Sequence, residues 1–219
     1  MRRTAPAALI ALIALSPAAL AACGDDDGGG APDAGALLEA FDERTAALYE
    51  AEDLDRDEVF TRGVTFEACP MLEDEHAEAV LAAAGIEGGD VERRGGYLQG
   101  MPGETEMLSC PLVGGEGRED QVLLVLGATL RDRDQVEQAI RRSGFPDARR
   151  AEVDGTGLPA DEVLVLQVER STKAYWVSDG FFVSVDLLSA EEEATDDDRE
   201  RAVAALAEAV EQVDDALTG

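Results

Sequence analysis

The sequence is poor in the side chains that most enzymes use for chemistry. Its 219 residues include one histidine, three cysteines and a single lysine, and aromatic residues make up 5%. So few imidazole and thiol groups can form few catalytic triads or zinc sites. The sequence also contains no G-x-S-x-G nucleophile turn and no phosphate loop with its lysine. We therefore expect a protein that is not an enzyme and that needs no cofactor and no metal ion.

Positive charge is also scarce. The chain has 18 Lys and Arg residues against 48 Asp and Glu residues, which gives a formal net charge of −30. Binding to nucleic acid depends on cations that displace the counterions around phosphate, so nucleic acid is excluded as a partner. Hydrophobic residues make up 45%, too many for a disordered acidic tail. The length suits one domain with a substantial core.

The first 22 residues have the pattern of a bacterial signal peptide. Arg2 and Arg3 precede an apolar stretch from Ala5 to Leu15, which is broken only by Pro6. This stretch is shorter than the ~20 apolar residues that a membrane-spanning helix needs. It is followed by the tetrapeptide Leu20-Ala21-Ala22-Cys23, in which small residues directly precede a cysteine. We predict cleavage after residue 22.

The tetrapeptide resembles the bacterial lipobox, in which the cysteine takes a diacylglycerol through a thioether bond. The resemblance implies that Cys23 is the lipid attachment site and that the protein lies on the extracytoplasmic face of the cell membrane. Cleavage would remove only two charged residues, both arginines, and leave a net charge of −32. An acidic body cannot hold anionic lipid, so anchoring would depend on acyl chains, which contribute ~0.8 kcal/mol per buried CH₂.

The residues behind the anchor predict a tether. Residues 23–36 are rich in Gly and Asp and have little apolar surface to pack, as is typical of an extended, mobile segment. Residues 37–219 contain no Pro- or Gly-rich divider and no internal repeat. We therefore predict one folded domain over residues 37–219.

Four segments have the apolar period of a helix. Leu37, Leu38, Phe41, Leu48 and Tyr49 form one stripe near the start of the domain. The second predicted helix runs from about Leu72 to Ala84 and ends at Gly85. The third begins with Asp132 and Gln135 in capping positions and ends before Gly144 and Pro146. The fourth follows a Thr195 cap and has apolar residues with a period of 3.6.

Between these helices the apolar period changes to two. Residues 121–130 and 162–169 are predicted strands, and residues 173–188 are a predicted hairpin around Asp179-Gly180. A two-residue turn there pairs Trp176 with Val183 on the core face and Lys173 with Asp186 on the other face. Further strands are predicted near 91–98, 105–113 and 148–153. Runs of antiparallel strands with helices set apart predict an α+β fold.

The two cysteines that remain after lipidation predict a disulfide. Cys69 and Cys110 would be an even pair outside the reducing cytoplasm. A redox-active or metal-binding pair is the alternative, but the C-x-x-C spacing and neighbouring histidines are missing.

Two other features are candidate sites. His76 lies among acidic residues in Glu73-Asp74-Glu75-His76 and has no nucleophile near it in sequence, which indicates a solvated surface histidine. Residues 131–150 hold six arginines against four acidic residues. Arg141, Arg142, Arg149 and Arg150 therefore form a candidate patch for an anion or an acidic partner, and the alternative is that they balance nearby acidic surface.

The order of these features carries a family resemblance. A lipobox, a tether, Cys69-Pro70-Met71-Leu72 at a helix start and a second cysteine about 40 residues later together resemble small secreted lipoproteins of high-GC Gram-positive bacteria. The resemblance implies an antiparallel sheet flanked by helices, similar to the PsbP/Mog1-like sandwich. It implies a location and no catalytic residues.

These observations predict a membrane-anchored, non-catalytic binding module. We expect it to hold a small amphiphile or an envelope partner against the concave side of the sheet, near Trp176 and Phe181. The alternatives are a purely structural or accessory subunit of an envelope complex and a hydrolase with a pair of carboxylates. A pocket of several hundred Å³ with an apolar lining would favour the binding module over the accessory subunit.

Overall fold

The protein folds as a single α+β domain, as its sequence predicts. The computed structural model describes residues 31–86, 92–93, 95–101, 105–115, 117–142, 149–151 and 156–219. Within these residues, nine strands form one antiparallel sheet. The strands are β1 (Val64–Phe66), β2 (Glu92–Arg93), β3 (Gly96–Met101), β4 (Thr105–Val113), β5 (Gln121–Thr129), β6 (Arg149–Ala151), β7 (Val163–Val168), β8 (Ser171–Ser178) and β9 (Phe181–Leu188).

Helices begin where side chains cap their free backbone N–H groups. The described helices are α1 (Ala34–Ala51), α2 (Arg56–Arg62), α3 (Asp74–Ala83), α4 (Arg133–Arg142) and α5 (Asp196–Thr218). Asp132 accepts a hydrogen bond from the Gln135 N–H at 2.8 Å, and the Gln135 side chain accepts one from the Asp132 N–H at 3.2 Å. This reciprocal cap confirms the predicted start of α4.

The strand order brings the two halves of the chain together at the middle of the sheet. The order is β1-β3-β4-β5-β9-β8-β7-β6, with β2 paired to the end of β4. After β5 the chain crosses through α4 and fills the second half from the far edge inward, so that β9 pairs with β5. The two halves are thus joined by one long ladder between β5 and β9.

The core lies on one face of the sheet, which we call the inner face. Helices α1, α3 and α5 cover it, and α2 adds the buried side chain of Val59 at the β3 end. The inner residues include Leu124, Leu126, Val183 and Val185, each no more than 1% exposed. Phe41 of α1 meets Phe181 of β9 edge to face, with ring centroids 5.8 Å apart. The predicted apolar face of the hairpin is therefore confirmed as core.

The register of the hairpin and the disulfide are also as predicted. Trp176 pairs with Val183 and Lys173 pairs with Asp186 across β8 and β9. Cys69 and Cys110 form a disulfide with their Cα atoms 5.4 Å apart. Both cysteines are buried, and the bond ties the loop before α3 to the inner face of β4.

The structure corrects several predicted boundaries. Helix α2 was not predicted; Asp55 caps it by accepting a hydrogen bond from the Glu58 N–H at 3.1 Å. Strand β1 was not predicted. Helix α1 begins at Ala34, inside the predicted tether of residues 23–36, because Asp33 caps it and Ala34 is buried. The helix predicted from Leu72 begins at Asp74.

Candidate functional site

The second face of the sheet, which we call the outer face, is covered by a helix over only part of its width. Ile140 of α4 packs on Leu164 and Leu166 of β7, together with Val168 and Tyr175. Among the described helices, α4 is the one whose apolar side packs on this face. It lies over β7 and β8, and among the described helices none packs on the outer side of β4, β5 and β9, while the end of α2 lies beside Tyr97 of β3.

The uncovered part of the outer face carries a group of half-exposed side chains that we call the open strip. Cross-strand pairing places them in adjacent rows, because Tyr97 pairs with Ser109, Ser109 with Val125, and Pro111 with Leu123. Tyr97 and Leu123 are 36% and 38% exposed. The open strip consists of Tyr97, Gln99, Met107, Ser109, Pro111, Leu123, Val125 and Phe182.

No residue of the open strip is charged, although charged residues make up 30% of the chain. The strip ends towards α4 at the pair Lys173 and Asp186, whose ammonium and carboxylate groups form an ion pair. Ser171 donates a second hydrogen bond to Asp186 at 2.6 Å. The charge of Asp186 is therefore neutralised on the protein, and the strip remains an uncharged surface.

One edge of the strip is fixed by a glycine. Gly63 ends α2 with a φ of +69°, a conformation that L side chains rarely adopt. A β-carbon at this position would also collide with the ring of Tyr97. The ring lies across Gly63, and its hydroxyl donates to the Arg62 carbonyl at 3.1 Å. Tyr97 is thus held in place on the strip.

An open cleft adjoins the strip at the tip of the β8–β9 hairpin, and we call it the hairpin cleft. Its volume is about 680 Å³, within the range of ligand sites. Five carboxylates and two guanidinium groups line it, so its local charge is negative. The lining residues are Thr129, Leu130, Arg131, Asp132, Arg133, Asp134, Asp161, Glu162, Val177, Ser178, Asp179 and Gly180.

Glu162 fixes the wall of this cleft. Its carboxylate accepts hydrogen bonds from the Trp176 indole N–H and from the Ser178 hydroxyl, both at 2.9 Å. Its backbone carbonyl also accepts from the Val177 N–H at 3.0 Å. Both side-chain donors belong to β8, the first strand of the hairpin. Glu162 therefore holds the hairpin tip against the start of β7.

The structure overturns the expected position of a ligand near Trp176 and Phe181. Both side chains are fully buried on the inner face, beneath the helices. The sequence correctly assigned them to an apolar face, but helices cover that face. In the described part of the chain, Tyr97 and Leu123 are two of the three exposed large hydrophobic side chains, and both lie on the opposite side of the sheet.

The arginine patch is distributed over two elements. Arg141 pairs with Glu137 at 2.9 Å within α4, and Arg142 donates to Gln138 at 3.2 Å. Arg149 and Arg150 lie on β6, opposite Gln167 and Leu166 of β7. The role of the patch in binding an anion or an acidic partner remains a prediction. One of its members, Arg141, already forms an ion pair with a neighbouring carboxylate.

His76 has a structural role at the start of α3. Its Nδ1 atom accepts a hydrogen bond from the Glu73 N–H at 3.0 Å. It lines a second cleft of about 550 Å³ beside the disulfide loop, where Glu73, Asp74 and Glu75 provide most of the charge. The second cleft is mainly polar, whereas the hairpin cleft combines seven charged side chains with a lining that is slightly more apolar than polar.

Two carboxylates in the described part of the chain are buried. Glu106 accepts from the Tyr49 hydroxyl and lies 3.5 Å from Arg56. Burial raises the pKa of Tyr49, and its hydrogen bond to Glu106 raises it further. Asp198 is bonded to Thr195 and Arg201. The partners of these carboxylates are phenol, hydroxyl and guanidinium groups, so the two do not form the facing pair of a glycosidase.

Cys23, the predicted signal peptide and most of the predicted tether lie outside the described residues, as do Gly144 and Pro146. In the described part of the chain, no helix is both long and apolar enough to cross a membrane. Those same residues contain no group of three or more His, Cys, Asp or Glu side chains arranged to hold a metal ion.

The comparisons with known proteins give no further guide to the site. No family model, no curated protein and no solved structure matches the chain.

The open strip was missed in the sequence, although one signal for it was present. In residues 121–130 the apolar residues do not alternate with polar ones, since Leu123 and Val125 are apolar as well as Leu124 and Leu126. A strand that is apolar on both faces is typical of a sheet covered on both sides. The pattern thus indicated an outer face suited to a second layer.

Proposed function

We propose that the protein is a lipid-anchored, extracytoplasmic, non-catalytic binding module that docks an envelope partner on the open strip. The observation that supports this most is an uncharged, half-exposed apolar surface on a chain of net charge −30. Apolar surface that is clustered and edged by polar groups typically marks an interaction site. A protein partner fits better than a small amphiphile, because both described clefts are open to solvent and lined by several charged side chains.

Membrane anchoring in this proposal depends on Cys23. Replacement by serine removes the thiol that would carry the diacylglycerol. We expect the Cys23→Ser protein to be absent from the membrane pellet or to be found there only as an unprocessed precursor. For the wild type, we expect mass spectrometry to detect acyl chains on the protein. A mature-length Cys23→Ser protein that sediments with membranes as the wild type does would contradict lipid anchoring.

Docking can be tested by photocrosslinking in living cells. A benzophenone amino acid at Leu123 would lie on the open strip, and the same group at Glu43 would lie on the exposed side of α1 as a matched control. We expect a discrete protein adduct at position 123 and none at position 43. Equal adduct patterns at the two positions would reject the strip as a binding surface.

The main alternative is a purely structural or accessory subunit of an envelope complex. Such a subunit would also bury the open strip, but permanently. A protein that elutes from mild detergent only in a complex of fixed stoichiometry would favour this alternative over a module that binds reversibly.

A further inference from the structure

We infer that the element received by the open strip is a single amphipathic helix whose basic end enters the hairpin cleft. This inference rests on the proposed function, because it names the kind of partner that the same surface would bind. Three properties of the surface carry it: the pairing of its backbone, its dimensions and the distribution of charge around it.

The backbone pairing excludes an added strand. Strands β4, β5 and β9 lie inside the sheet, and each is hydrogen-bonded to neighbours on both sides. These three strands therefore offer side chains to a partner and no free backbone donors or acceptors. An extended segment lying on it would leave its own N–H and C=O groups unpaired on the buried side, whereas a helix satisfies them internally.

The dimensions fit one helix beside α4. Four strands at about 4.8 Å spacing are about 19 Å wide, and the rows of the strip from Leu123 to Phe182, which lies opposite Gly127, extend for about 14 Å along the strands. A helix about 10 Å across covers two or three strands, and the distance of about 20 Å from Leu123 to Thr129 at the hairpin cleft corresponds to about 14 helical residues at 1.5 Å each. The added helix would extend the layer that α4 begins over β7 and β8.

A second copy of this chain fits less well. The strip covers roughly 270 Å² in projection, less than the ~800 Å² that each partner buries in a standard interface. Two copies would each bring a net charge of −30 to the contact. Their mutual repulsion opposes association through such a small area.

The surrounding charge specifies the ends of the helix. The hairpin cleft shares Val177 and Thr129 with the outer face at one end of the strip, and its seven charged residues sum to −3. Asp134 and Asp161 are exposed there. At the other end, the turn of residues 118–120 contributes one Arg and two acids. Lys or Arg residues beyond the apolar face of the partner helix, at the cleft end above all, would complement this charge.

The test is to map the segment that a benzophenone at Leu123 captures in cells. We expect a segment of about 10–15 residues with apolar residues three and four apart and at least two Lys or Arg at one end. Three results would overturn the inference of an amphipathic helix while leaving the proposed binding module in place. They are capture of a second copy of this chain, of a segment without that period, or of an acidic segment. An adduct pattern no different from that at Glu43 would overturn both.

A pair of matched variants tests the cleft separately. Asp134→Asn with Asp161→Asn removes two charges from the hairpin cleft, and we expect the yield of capture at position 123 to fall several-fold. Asp42→Asn with Glu43→Gln removes the same charge from the exposed side of α1 and should leave the yield unchanged. Equal yields in the two double variants would overturn the assignment of a basic end to the cleft. Circular dichroism of both would confirm that each is folded.

Discussion

The two faces of the sheet differ in what covers them, although both carry apolar side chains. On the inner face, α1, α3 and α5 bury a continuous core with side chains close to zero exposure. On the outer face, α4 buries Leu164 and Leu166, and the open strip beside it stays half exposed. The inner face therefore holds the fold together, whereas much of the outer face is free to contribute to binding.

Adjacent leucines on β5 provide the sharpest test of this difference. Leu124 is fully buried on the inner face, and Leu123 is 38% exposed on the open strip. We expect Leu124→Ala to lower the free energy of unfolding by about 3–5 kcal/mol. Leu123→Ala should lower it by less than about 1 kcal/mol. Urea unfolding of both variants checks this, and similar losses would mean that the two faces are not distinct in stability.

The disulfide should contribute to the stability of the inner face. It closes a loop with a sequence separation of 41 residues and ties β4 to the loop before α3. Replacing both Cys69 and Cys110 by alanine should cost about 2–4 kcal/mol by the loop-closure argument. Thermal unfolding of the double variant measures the loss. A variant as stable as the wild type would show that packing alone holds this region.

Alkaline pH should weaken the part of the outer face beneath α4. Burial raises the pKa of Tyr175 above its ordinary value of 10.0, and the nearby Asp186 charge raises it further. Because the pKa is raised, the Tyr175 phenol of the folded protein keeps its proton above pH 10, whereas the same phenol in the unfolded chain loses it. Stability from this group is therefore complete below pH 10 and decreases above it, by up to about 1.4 kcal/mol per pH unit.

Tyr175→Phe should remove that part of the alkaline slope. The measurement is the free energy of unfolding of both proteins between pH 9 and pH 11. Tyr49, whose pKa is also raised, contributes to the remaining slope in both. Identical slopes would contradict the burial of the Tyr175 phenol under α4.

Acid should weaken the start of α5, with the smallest of these effects. Burial alone would raise the pKa of Asp198, but hydrogen bonds from Thr195 and Ser189 and the charge of Arg201 outweigh it and lower the pKa below 3.8. A lowered pKa contributes stability above pH 3.8 that is lost as the pH falls towards the folded-state value. Asp198→Asn should therefore lose less stability than the wild type between pH 5 and pH 2.

The hairpin could be predicted residue by residue because its local signals fix it. Asp179-Gly180 sets a two-residue turn, and the alternation of apolar residues then permits only one register. The long helix α5 was equally clear from its Thr195 cap and period. The seven-residue helix α2 and the three-residue strand β1 were missed, because elements this short show too few turns of their period to be recognised.

The site could not be predicted, because it depends on pairing between distant parts of the chain. The strip combines Tyr97 of β3 with Phe182 of β9, and only the ladder between β5 and β9 brings them onto one face. Alternation in sequence shows which residues share a face, but it does not show which face the helices cover. For that reason the expected ligand position near Trp176 and Phe181 was wrong.

Side-chain oxidation in isolated membranes tests the central claim most directly. Hydroxyl radicals should oxidise Tyr97 and Met107 of the open strip in the purified protein. In native membranes a docked partner should protect both, while His76 of α3, which lies outside both the strip and the hairpin cleft, should be oxidised to the same extent in each preparation. If Tyr97 and Met107 are oxidised equally in membranes and in the purified protein, the open strip has no partner.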